Sequence, residues 1–436
     1  MPRVFRILAP GLVALFSFGA LYLALVVGGG ADPLAILDPG PIVRWGAPTA
    51  RLLNDIGFTV TLGALAVAAF ALSKKLPEFR RAIDIAAMGA VFWTISALAT
   101  GFFSFMSMSG LTPASGEMFN RVFLQFFSEI PVGQLYLFIV IVAATVSILC
   151  FMVQSYTGLF WALLLTIVGI YPFAEMGHAA GGASHDVAVT GLLLHLLGAA
   201  VWMGGLATIA FLAYKNLARL HIVLRRFSAL ALLCFLVVAY SGAASAIIRV
   251  GSLENLFNTE YGWLVIGKVF LITVLAFFGL LQRNWVLGKM ARAEKTATVK
   301  AWFWYIIVTE LAFMGAAAGT GTALARTKTP IDDTPPSGNV SPAEYLTGEP
   351  LPPVPSPENF LLVWRLDLLW MLVAVLAIVW YLWGVIRLRK RGDTWPWLRT
   401  VSFISGMVIF FYSTNGALNA YERYLFSVHM MEHMTL

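Results

Sequence analysis

The sequence predicts an all-α polytopic membrane protein, with about eleven complete transmembrane helices, the first part of a twelfth, and a cytoplasmic N-terminus. Composition is the first reason. The 436 residues are 59% hydrophobic and only 12% charged, with a mean hydropathy of +0.82, whereas a soluble chain carries about 25% charged residues. The second reason is the recurrence of apolar runs of the roughly 20 residues needed to cross a bilayer. The third is charge, because lysines and arginines gather in alternate connections between those runs.

In chain order the runs fall at roughly 6–28, 56–73, 83–108, 133–153, 157–174, 186–213, 227–249, 261–282, 301–323, 360–386 and 398–416, and a last one opens near 424. The first follows Arg3 and Arg6. It is longer than a signal-peptide core and has no clear small-x-small cleavage site, so it reads as a retained span. With the N-terminus inside, most of the 29 bases fall on the inner side. They form the groups Lys74–Arg81, Lys215–Arg226, Arg283–Lys300 and Arg387–Arg399. The net charge of +7 therefore belongs to cytoplasmic loops and not to a nucleic-acid surface. The stretch 109–131 contains FNRVFLQFF and is expected along the outer interface. Residues 327–359, rich in Pro, Ser and acids, read as an extended outer linker. It separates a nine-span domain (1–326) from an incomplete second membrane domain (360–436). Cys150 and Cys234 stand alone in apolar runs, with no CxxC pair, and read as small buried side chains.

Of six histidines, His221 lies among inner-loop bases and reads as solvated. The other five fall outside or in the outer half of the membrane. His178 and His185 flank the loop MGHAAGGASHD, beside Glu175, Met176 and Asp186. His195 lies about nine residues into the sixth run, roughly 13 Å deep. His429 and His433, in YLFSVHMMEHMTL, share a helix face at i, i+4 with Met430, Met431 and Met434 around them. Imidazole takes copper or zinc and thioether selects Cu(I). The candidate metal ligands are therefore His195, His178, His185, Met176, His429 and His433, against the alternative that the deep histidines merely pack. Lys268 and Glu310 fall at about one depth and are expected to pair, as a helix clamp or beside an ion or proton path. Trp202 stands at the same path among Gly198, Gly204 and Gly205, which permit close helix packing.

HLLGAAVWMGGLATI at His195–Ile209, YGWLVIGKVFLITVLAFFGLLQRNWV at Tyr261–Val286 and TELAFMGAAAGTGTALARTKTP at Thr309–Pro330 resemble the CopD copper-resistance membrane family. The matching positions are His195, Trp202, Gly204, Gly205, Tyr261, Gly262, Lys268, Arg283, Asn284 and Glu310. EYLTGEPLPP at Glu344–Pro353 and LFSVHMMEHMTL at Leu425–Leu436 resemble the start of the CtaG cytochrome oxidase assembly family. Together they resemble the actinobacterial CopD–CtaG fusion type, here truncated. The resemblance implies copper movement across, or delivery at, the outer face of the plasma membrane, with a link to cytochrome oxidase copper supply. It marks His195 in the first domain and His429 and His433 in the second. The copper ion is the expected bound species. The expected partners are copper, membrane lipid, and either heme–copper oxidase subunits or an extracytoplasmic copper chaperone, with no nucleic acid. Two departures stand out: the family commonly has glutamine where this chain has Glu432, and it continues for several spans beyond the histidine pair.

Three other readings compete. HMMEH matches the inverted zinc-peptidase signature with Glu432 as base, but that site needs a later carboxylate ligand and only three residues follow His433. A b-type heme electron carrier needs a second axial histidine at the depth of His195. A metal-free oxidase assembly scaffold needs no ligands at all. The copper-handling reading implies no covalent chemistry, so no enzyme is expected.

Overall fold

The computed structural model describes residues 3–34, 36, 38–153, 155–176, 185–214, 220–281, 297–331, 341–347 and 351–436. Among them there is no strand, and eleven helices are long and apolar enough to cross a membrane. The all-α polytopic class stands. The chain forms two compact units, one of Met1–Gly177 with His195–Ile331 and the other of His178–Leu194 with Asp332–Leu436.

The first unit contains α1 (Arg3–Val27), α2 (Pro41–Phe70), α3 (Pro77–Ser109), α4 (Glu117–Glu129), α5 (Pro131–Met152), α6 (Tyr156–Val168) and α7 (Tyr171–Glu175). It continues with α8 (His185–Tyr214, from His195 onward), α9 (Leu220–Val250), α10 (Leu253–Asn258), α11 (Glu260–Leu281) and α12 (Ala297–Leu324). Proline opens α2, α3 and α5, where its missing N–H costs nothing and its fixed φ suits the first turn. α2 begins at Pro41, well before the expected run at 56. Arg44, Arg51, Asn54 and Asp55 lower the hydropathy of its first half, and the fold accommodates them. The Arg51 Nε lies 3.1 Å from the Asp55 carboxylate, and its guanidinium sits 3.6 Å over the Phe173 ring. The aromatic helix α4 is a separate element. Its Phe119, Phe123 and Phe126 surround the fully buried Phe105 of α3.

Small residues decide how these helices meet. α2 packs along α3, with Gly57 against the backbone of Trp93 and Gly89 against Thr61. α1 packs along α12, where Ser17 fills the notch left by Gly315 and Gly319. Without lipid exclusion to drive them together, membrane helices associate through such close contacts. Two ends of the unit are defined by contacts. At one, Arg80 donates to the Val153 carbonyl, Lys74 N–H to the Tyr156 hydroxyl, and Arg226 to the Ala71 carbonyl. The connection at Val153 holds no base of its own, and Arg80 of its neighbour supplies one. At the other end Arg326 donates to Ser107, while Gly28 and Gly251 lie against Thr327 and Ile331.

The second unit contains α13 (Pro342–Thr347), α14 (Asn359–Leu362), α15 (Leu368–Lys390), α16 (Trp397–Asn415), α17 (Ala417–Tyr421) and α18 (Phe426–Thr435). Two expectations change here. The linker is not extended throughout, because Ser341 and Glu344 cap α13 reciprocally and the Pro353 carbonyl accepts from the Tyr421 hydroxyl. The run 360–386 is also not one helix. It breaks at Val363–Asp367, where the Arg365 N–H donates to the Asn415 carbonyl and the Asp367 N–H to Asn415 Oδ1. Asp367 then caps α15 through the N–H groups of Leu369 and Trp370.

Candidate functional site

His195 is set by α9. Its Nδ1 lies 3.2 Å from the Ser241 hydroxyl oxygen. That hydroxyl has one proton, which it donates to the Val237 carbonyl at 2.7 Å, with the Val238 carbonyl at 3.3 Å. Ser241 is therefore the acceptor and Nδ1–H the donor, which leaves the lone pair of a neutral ring on Nε2. A β-carbon at Gly242 would stand 3.3 Å from Cε1, so the absence of a side chain there makes room for the ring.

The same antiparallel crossing continues deeper. Gly198 of α8 faces Val238 and the Cys234 carbonyl, Trp202 stacks edge-on against Phe235 at 5.6 Å, and Gly205 faces Phe227. On the side of α2, Gly204 and Gly63 meet backbone to backbone, and a β-carbon on either would collide with the other helix. The glycines around Trp202 do permit close packing, as their clustering suggested.

Lys268 and Glu310 do not pair. The Trp202 indole N–H donates to the Glu310 carboxylate, and no ion pair joins Glu310 to Lys268. The Lys268 ammonium instead reaches the level of Gly321, where a β-carbon would be 3.4 Å from Nζ. Gly321 is eleven residues from Glu310, about 16 Å along α12. Lys268 stretches toward the helix end, as a long cationic side chain does at membrane depth. Counting depth from run boundaries placed both groups at one level because it ignored that reach. Lys268 and Arg249 are the charges within electrostatic reach of His195.

Met176 closes the turn after α7 and is half-buried, while the neighbouring Glu175 accepts from the Tyr171 hydroxyl. His178 lies outside the described residues. His185 opens α8, with its side chain outside the description. In the second unit the His429 and His433 rings stand edge to face, 4.5 Å between centroids. Glu422, which sequence reasoning passed over, joins them. Its Oε2 is 3.7 Å from His429 Nδ1, and its carboxyl shares a hydrogen bond with Glu432. Glu422 lies seven residues before His429, on the far side of a turn, and no local motif marked it. Among the described residues, no three His, Cys, Asp or Glu side chains converge on one metal-sized point.

An all-α bundle with a tautomer-fixed histidine and a buried carboxylate in its first unit, and paired histidines in its second, is the frame of a multi-pass membrane protein. The comparisons make that particular. Family models match in chain order: Copper resistance protein D-like, N-terminal domain, over residues 37–186; Copper resistance protein D over 221–324; and Cytochrome c oxidase caa3 assembly factor over 379–436. The chain thus carries the CopD and CtaG domains in the order of a CopD–CtaG fusion. It is 24% identical over 417 residues to Uncharacterized protein ML1998 of Mycobacterium leprae, covering 92% of this chain and 58% of that one. Copper transport protein CutJ of Bacillus subtilis is 32% identical over 137 residues, 29% of this chain and 24% of its own length. Uncharacterized protein Mb0105 of Mycobacterium bovis is 36% identical over 93 residues, 21% of this chain and 14% of that one. The chain therefore spans little more than half of the longest-matching relative. No solved structure matches it.

Proposed function

We propose that this protein passes copper across the plasma membrane or delivers it at the outer face, with a link to copper supply for cytochrome oxidase. The positive-inside rule takes the end bearing Lys74, Arg80 and Arg226 as cytoplasmic. His195 then lies in the outer half. The observation that carries the reading is its geometry: Nδ1–H is tied to Ser241 and the Nε2 lone pair is left to bind a borderline or soft cation. A single imidazole, with Lys268 and Arg249 in electrostatic reach, holds a cation weakly. Weak holding suits transit, because an ion that moves on must be able to leave. Met176, His178 and His185 would collect copper before it, and His429 and His433, with Glu422, would serve the second domain. The domain matches and the likeness to CutJ support the copper assignment. The role is binding and passage, without covalent chemistry. Cells carrying His195→Ala should accumulate markedly less copper than wild type, and normal accumulation would remove His195 from the path.

A further inference from the structure

We propose that Glu310 is a proton-exchange site whose protonation is coupled to passage of the cation handled at His195. The proposal rests on the copper reading above and adds what drives or accompanies the movement. Glu310 lies near the middle of α12 and is 2% exposed. One carboxyl oxygen accepts the Trp202 indole N–H, and Oε2 has no partner. A carboxylate held at that depth by one neutral donor is costly. The protonated form is also incomplete, because a hydrogen on Oε2 finds no acceptor. Neither state is fully satisfied, and such a group is suited to alternate between them.

A proton fits this site and a metal does not. A metal ion needs several converging ligands, whereas Glu310 belongs to no group of three His, Cys, Asp or Glu among the described residues. A proton needs one oxygen. Ionisable groups of the neighbouring helices include Tyr22 on α1, Arg44, Arg51 and Asp55 on α2, His195 on α8, Tyr240 and Arg249 on α9, and Glu260, Tyr261 and Lys268 on α11. Tyr22 is bonded to Thr49, Arg51 pairs with Asp55, and Lys268 reaches the level of Gly321. None of them forms an ion pair with Glu310. Position links Glu310 to the cargo. Trp202 follows His195 by seven residues, two helical turns, on the same face of α8 and about 10.5 Å deeper. The group that holds Glu310 therefore stands directly below the group that meets the cation.

The test uses the whole chain in liposomes with a pH dye inside and Cu(I) added outside, beside infrared spectra of the same protein. Wild type should move protons when it moves copper and should show a protonated-carboxyl band that changes with pH. Glu310→Gln keeps the shape and the Trp202 hydrogen bond. It should retain copper binding, lose at least tenfold of the copper-driven proton flux, and lose the band. Trp202→Phe, which removes the donor but not the carboxyl, should keep the band and shift it. Copper movement without protons in wild type, or an unchanged proton flux in Glu310→Gln, overturns the proposal. If wild type moves no copper, the copper reading fails by itself, and the infrared arm decides the site: a pH-sensitive band missing from Glu310→Gln supports it, and its absence from wild type overturns it.

Discussion

Replacing Ser241 by alanine removes one oxygen, and with it the acceptor for the His195 Nδ1–H. The fold around it should survive, since Ser241 otherwise bonds only carbonyls within its own helix. Leaving a buried donor unsatisfied costs about 1–3 kcal/mol. The ring avoids that cost by moving its proton to Nε2 or by turning, and either change removes the lone pair offered to the cation. At roughly 1.4 kcal/mol per factor of ten, the penalty corresponds to a 5–150-fold loss of affinity. The typical 10–100-fold effect of losing a group that orients a metal-binding histidine falls in the same range. Competition between the purified protein and a chromogenic Cu(I) chelator measures the affinity, and nitrogen shifts of histidine-labelled protein report the tautomer. Ser241→Ala should fall between wild type and His195→Ala, and Ser241→Thr, which restores a hydroxyl, should recover most of the loss. Wild-type affinity with an unchanged tautomer in Ser241→Ala would refute the claim that α9 sets the ring.

Other outcomes follow from the packing and the charges. Gly204→Ala places a β-carbon against the Thr59 carbonyl and 3.1 Å from the Gly63 Cα; it should lower the unfolding free energy in mixed micelles by about 1–3 kcal/mol, because neither backbone can yield. Lys268→Met removes a positive charge from the reach of His195 and should tighten cation retention there several-fold in the chelator assay. Asn419→Leu deletes the bond accepted from Arg365 and those donated to the Arg365 and Thr414 carbonyls, and faster hydrogen exchange at 363–367 should follow. Backbone N–H groups of Ser341 and Leu351 hold the Glu344 carboxyl below its ordinary value of 4.5. Its contribution to α13 is therefore fully present above that value and is lost as pH falls through the lowered one, which a carbon-13 titration of the carboxyl checks. A carboxyl titrating at or above the ordinary value would contradict the capping geometry.

The spans were legible because bilayer crossing demands long apolar runs, a signal strong enough to place all eleven. Their edges were not. Pro41 starts α2 because paired charges such as Arg51–Asp55 can be housed in a helix, which hydropathy alone cannot register. The break at Val363–Asp367 depends on Asn415 and Asn419, some fifty residues away, so no local window displays it. At the site, the glycines near Trp202 announced close contact. Ser241 was hidden because a serine in an apolar helix carries no mark of what it faces. The Lys268–Glu310 pairing failed because a long side chain shifts its charge away from its own Cα. Glu422 was missed because its partners, His429 and Glu432, return to it across a turn.

Ser17 on Gly315 and Gly319 ties the first helix to the last helix of its unit, and that has a consequence for synthesis. Ribosomes add about 5–20 residues per second, so α1 enters the membrane and waits for roughly 300 more residues, some 15–60 seconds, before its main partner exists. Through that interval the Ser17 hydroxyl is satisfied within α1 by the Val13 carbonyl at 2.8 Å. The early helix can wait among lipids without an exposed polar debt, and the bundle closes only when α12 arrives.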